Sequence, residues 1–98
     1  MKPIIVRPAA AAEMEEAFRW YEGQRPGLGE EFREAFRDAL NTIAAHPDLY
    51  QVVHRRTRRV FLKRFPYGVY YREYPQVIVV VACMHGSRDP QRWQPRSE

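Results

Sequence analysis

Apolar residues recur along the chain with three successive periods. Ile4-Ile5-Val6 is a β-branched run closed by Pro8 and predicts a short first strand. From Ala9 the period lengthens: Met14, Ala17, Phe18 and Tyr21 fall at i, i+3, i+4 and i+7, one stripe of a helix, with Glu13, Glu15, Glu16 and Arg19 on other faces. That helix should end near Gly23. Arg25-Pro26-Gly27-Leu28-Gly29 is a turn by composition. Phe32, Phe36, Ala39, Leu40 and Ile43 make the stripe of a second helix, and Pro47 stops it by disfavouring helical geometry at His46. So short a loop between them predicts an antiparallel helical hairpin.

The remainder is β in character. Val60–Phe65 predicts a second strand, Tyr67–Glu73 a third and residues 76–84 a fourth, punctuated by Pro66 and Tyr74-Pro75. Such short connections permit hairpins and forbid parallel crossovers, so these strands should form an antiparallel meander. Val77-Ile78-Val79-Val80-Val81 does not alternate and should be central, covered at least partly on both faces, with the helical hairpin on one. Gly68 within a strand pattern predicts a bulge or a close backbone approach. The expected fold is α+β, in the order β-α-α-β-β-β, a helical hairpin packed on a small, mainly antiparallel sheet. At 98 residues the chain, taken as residues 1–98, suits a single domain with one modest core.

Charge changes the picture more than composition does. Residues 1–49 carry six Lys/Arg against nine Asp/Glu, a net of −3, whereas residues 50–98 carry ten against three, a net of +7. The second half should present a basic face to nucleic acid or to an acidic protein. Fourteen of the sixteen cations are arginine, which favours bidentate contact with phosphate or carboxylate. The lone Cys83 forms no internal disulfide, and one cysteine with three scattered histidines makes no metal site. No cofactor is expected. The first apolar run breaks at Arg7, unlike a secretory signal, and Val77–Met84 is too short to span a bilayer, so the expected setting is the cytoplasm with no membrane partner.

The densest charge run is Arg55-Arg56-Thr57-Arg58-Arg59, which can seat phosphates or partner carboxylates, or act as a solvated arm that protects a strand edge. His85 ends the most apolar strand beside Arg88, Arg92 and Trp93. There it can move a proton or simply fix the tail. Glu13, Glu15, Glu16 and Glu22 read most simply as a solvated helix face. No glycine-rich phosphate loop, nucleophile elbow or Cys–His arrangement is present. Residue chemistry alone yields a small basic binding domain.

Several motifs are more specific. Trp20-Tyr21-Glu22, Leu28-Gly29-Glu30-Glu31-Phe32 and Ile43-Ala44-Ala45-His46-Pro47 resemble the RelE/ParE toxin superfamily. Arg59-Val60-Phe61-Leu62-Lys63-Arg64-Phe65-Pro66-Tyr67, Val69-Tyr70-Tyr71, and His85-Gly86-Ser87-Arg88-Asp89-Pro90 with Trp93 and Arg96 resemble its ParE-like, plasmid-stabilisation branch. The resemblance covers nearly the whole chain. It implies a toxin that poisons DNA gyrase without catalysis of its own and is neutralised by a ParD-like antitoxin. The alternative it implies is a RelE-like nuclease cutting messenger RNA on the ribosome, and a further alternative is a nontoxic remnant that only binds a partner. Target binding would fall to Arg58, Arg59, Arg64, Tyr67, His85, Arg88, Arg92, Trp93 and Arg96. The catalytic candidates for the nuclease would be His85, Arg64 and Arg88. RelE-like nucleases carry an arginine where this chain has Gly68 and a tyrosine where it has Trp93. Neither glycine nor indole can replace those groups in cleaving RNA.

Overall fold

The computed structural model describes residues 1–96. Strand β1 (Ile4–Val6) leads into helices α1 (Pro8–Gln24) and α2 (Leu28–Ala45), followed by strands β2 (Val52–His54), β3 (Thr57–Phe61), β4 (Tyr67–Glu73) and β5 (Ile78–His85). The tail ends in two single 3-10 turns, Pro90–Arg92 and Gln94–Arg96. The sheet order is β1-β5-β4-β3-β2, with β1 parallel to β5 and every other pairing antiparallel. The α+β fold and the helical hairpin are as the periodicity predicts.

Three details differ from the sequence reading. The meander has one more strand, because Val52–His54 pairs with the start of β3 and places Arg55 and Arg56 at the hairpin turn. The strand expected over Val60–Phe65 lies instead at Thr57–Phe61, because Lys63 and Arg64 form the next turn, with Arg64 at φ 69°. Finally, the bulge lies opposite Tyr70/Tyr71, where register advances from Ala82 to Val80, and not at Gly68. Nor does another backbone approach Gly68; its close neighbour is a side chain, and a Cβ there would meet the Arg59 stem at 3.0 Å.

Pro8 opens α1, where its missing N–H costs nothing. Gly27 precedes α2 at φ 91°, a conformation glycine adopts without penalty. The carboxylate of Glu22 then accepts from the N–H groups of Gly27 and Gly29, both at 2.9 Å, satisfying donors at the start of α2. The helices meet tightly at Gly29, where a Cβ would stand 2.7 Å from the Phe18 carbonyl oxygen.

The helical hairpin covers one face of the sheet. Phe32, Phe36, Ala39 and Ile43 of α2 and Ala10 and Ala17 of α1 pack with Val69, Tyr71, Ile78, Val80 and Cys83. On the opposite face Tyr70, Val81, Ala82 and Met84 form a second core closed by Trp93. Strand β5 is thus buried on both faces, which accounts for its unalternating apolar run.

Candidate functional site

Beyond Val6, no strand among the described residues flanks the outer edge of β5, and side chains close that edge. The Glu13 carboxylate of α1 accepts from the Cys83 N–H at 3.1 Å, and the Arg96 guanidinium donates to the Val81 carbonyl at 3.0 Å. Arg96 and Glu13 also form a two-point ion pair, both N···O distances being 3.1 Å. This clamp satisfies edge groups as a neighbouring strand would and ties the tail to α1.

Next to the clamp, a groove of about 660 Å³ runs between α1 and the paired ends of β4 and β5. Tyr67, His85, Arg88 and Arg92 line it, with Trp20 and Glu16 contributed by α1. Tyr67 and His85 face each other in register across β4 and β5, their ring centroids 5.5 Å apart and nearly perpendicular. The Ser87 N–H donates to Nδ1 of His85 at 3.0 Å, and the Ser87 hydroxyl lies 2.8 Å from the same atom. With Nδ1 accepting, the ring proton sits on Nε2, which offers a donor. Burial raises the Tyr67 phenol above its ordinary value near 10, with Arg88 opposing, so it too is a donor at neutral pH. The groove thus presents two side-chain donors, Tyr67 and His85, and two exposed guanidinium groups.

The other expected site residues lie elsewhere. Arg58 points to the helical side and donates to the Tyr50 carbonyl at 2.6 Å, holding the segment that follows α2. Arg59 lies on the opposite face, its guanidinium 4.5 Å from the centroid of the half-exposed Phe61 ring. Arg64 pairs with Glu31 at 3.2 Å in a second groove of about 520 Å³ between α2 and β3, so it does not join His85. The hydrogen bond from Arg25, aided by that from Arg64, lowers the Glu31 carboxyl below its usual value. Trp93 is 3 % exposed, stacked on Tyr70 with centroids 4.5 Å apart, and so belongs to the second core. Arg96 is occupied by Glu13. Of the nine expected contact residues, only Tyr67, His85, Arg88 and Arg92 line the same groove.

Sequence reasoning took Glu13 for a solvated helix residue, although it closes the sheet edge. It also gave Trp20 no role of its own. A signal for Trp20 was present: it falls off the apolar stripe of α1, and an indole on the wet side of an amphipathic helix calls for an explanation. The ring is 59 % exposed. Among the described residues no group of His, Cys, Asp or Glu is arranged to hold a metal, and no helix is long and apolar enough to cross a membrane.

Comparison with known proteins agrees with this architecture. A solved structure described as the chromosomal ParDE toxin–antitoxin system from P. aeruginosa superposes with a TM-score of 0.65 at 15 % identity, over 87 % of this chain and 96 % of the other. At that identity the likeness speaks for the fold. No curated protein matches the sequence significantly. The family described as the ParE toxin of the parDE type II toxin–antitoxin system matches residues 4–90, nearly the full length, and the chain therefore belongs to the ParE toxin family.

Proposed function

We propose that this ParE-type toxin arrests growth in the cytoplasm by poisoning DNA gyrase, that it grips its target through the Tyr67–His85–Arg88–Arg92 groove, and that a ParD-like antitoxin neutralises it. One observation carries the reading: the groove is rich in donors and cations but poor in bases. Cutting RNA through its 2′-hydroxyl needs a base, an acid and cations for the phosphorane. Tyr67 is held protonated and Nδ1 of His85 is taken by Ser87. Glu13 is engaged by Arg96, which leaves Glu16 as the remaining carboxylate of the lining. Such a surface suits holding an anionic or protein target better than catalysis.

The antitoxin segment would lie in the second groove. Its walls combine acidic Glu34 and Asp38 of α2 with cationic Lys63 and Arg64 and apolar Val60 and Leu62, so an amphipathic segment carrying charges of both signs complements it. On induction, loss of DNA supercoiling and DNA damage signalling should precede any failure of translation. Codon-positioned cuts in ribosome-bound messenger RNA would support the nuclease instead. Unimpeded growth would leave a partner-binding remnant.

A further inference from the structure

We infer that the groove beside α1 holds one unstacked nucleotide of a single nucleic-acid strand, its base on Trp20 and its phosphate on Arg88 and Arg92. The inference deepens the target-gripping role proposed above and rests on it. The Trp20 ring is 59 % exposed and braced edge-on by Tyr21, with centroids 5.1 Å apart and planes at 85°. Its indole therefore offers an accessible surface within the lining, the requirement for stacking a base of any identity.

The same groove supplies the phosphate chemistry. Among the described residues no ion pair engages Arg88 or Arg92. Nε2–H of His85 and the phenol of Tyr67 add donors, so a phosphate meets donors from the start of the tail and from both strand ends. A volume of about 660 Å³ is ample for a nucleotide, since ligand sites span roughly 300 to 1,000 Å³. Of the two carboxylates in the lining, Glu13 is neutralised by Arg96, and Glu16 alone opposes an anion. An acidic peptide would satisfy the arginines but would make no comparable use of a flat, exposed indole.

The test is direct binding to the full chain at low salt, using fluorescein-labelled octathymidylate and octauridylate read by anisotropy and tryptophan emission. Both oligonucleotides should bind and quench the exposed indole; the tighter one identifies the natural strand. Trp20→Ala should weaken binding about ten- to a hundredfold, the usual size of one base stack. Arg88→Ala with Arg92→Ala should flatten the salt dependence by about 0.7 in log–log slope, for one single-strand phosphate. Glu16→Gln should tighten binding. Failure of both oligonucleotides to bind, or unchanged affinity in Trp20→Ala with its circular dichroism intact, overturns the inference. So does tighter binding of an octa-aspartate peptide, which would make the groove a protein-docking site. The two readings separate because loss of oligonucleotide binding with gyrase poisoning intact sinks this inference alone, whereas oligonucleotide binding without gyrase poisoning sinks the gyrase reading alone.

Discussion

Replacing Trp93 by alanine separates what the tail does for the fold from what it does for the target. The indole is 3 % exposed, stacks on Tyr70 at 4.5 Å and 30°, and closes a core with Val81, Ala82 and Met84. Truncating a buried aromatic of this size costs about 3–5 kcal/mol, against a total stability of about 5–15 kcal/mol for a typical domain. For a domain of this length each kcal/mol shifts the midpoint by about 4–8 °C, so Trp93→Ala should lower Tm by at least about 12 °C. Trp93→Phe, which keeps a ring against Tyr70, should lose less than half as much. Urea unfolding followed by far-ultraviolet circular dichroism measures the loss, and the near-ultraviolet signal reports the Trp93–Tyr70 stack directly. Arg88→Ala and Arg92→Ala, at exposed positions, should stay within about 0.5 kcal/mol of the parent. If Trp93→Ala loses less than about 1 kcal/mol and yet abolishes toxicity, the indole is a contact residue and its assignment to the core fails.

Other consequences follow from single contacts. Gly29→Ala places a methyl 2.7 Å from a backbone oxygen and should destabilise the helical hairpin by about 1–3 kcal/mol in urea unfolding, despite alanine's higher helix propensity. Glu13→Ala removes the acceptor of both Cys83 N–H and Arg96 and should cost about 2 kcal/mol, with faster amide exchange at Cys83; Glu13→Gln should recover part of it. Burial pushes the Tyr71 phenol from 10.0 and the Cys83 thiol from 9.0, each to about 12. Because both groups bind protons more tightly when folded, their contribution is complete below about pH 9 and is lost as pH rises from 9 to about 12. Alkaline unfolding should therefore steepen in that window. Over the same window Cys83 should resist thiol reagents until the chain unfolds.

How much of this was legible in the sequence depended on whether the cause was local. The stripe Phe32, Phe36, Ala39, Ile43 and the unalternating run of β5 announce their burial because periodicity is a property of neighbours in the chain. The Gly68 signal marked a tight position, but the group that crowds it is a side chain, the stem of Arg59, on another strand. Strand β2 escaped notice because Val52–His54 is three residues long and takes its pairing from β3. In the tail, composition misled: an aromatic among arginines resembles a gripping surface, but Trp93 is drawn into the core by the apolar face that Tyr70 and Met84 leave uncovered. The Glu13–Arg96 clamp spans 83 residues, and no local pattern shows it. Only the structure shows that Arg88 and Arg92 share a groove with His85 and that Arg64 does not.

We propose that the donor-lined groove grips gyrase and performs no RNA chemistry. The most direct measurement incubates the purified chain with gyrase and supercoiled plasmid, traps cleaved DNA with denaturant and protease, and repeats this with His85→Gln and with Arg88→Ala plus Arg92→Ala. The account predicts linear plasmid with the parent chain, a small loss for His85→Gln, and loss of most of the product for the double arginine variant with its fold intact. No linear plasmid from the parent chain, together with toxicity in cells that falls about a hundredfold or more in His85→Gln, the usual size of an acid–base effect, would contradict it and return the chain to the nucleases.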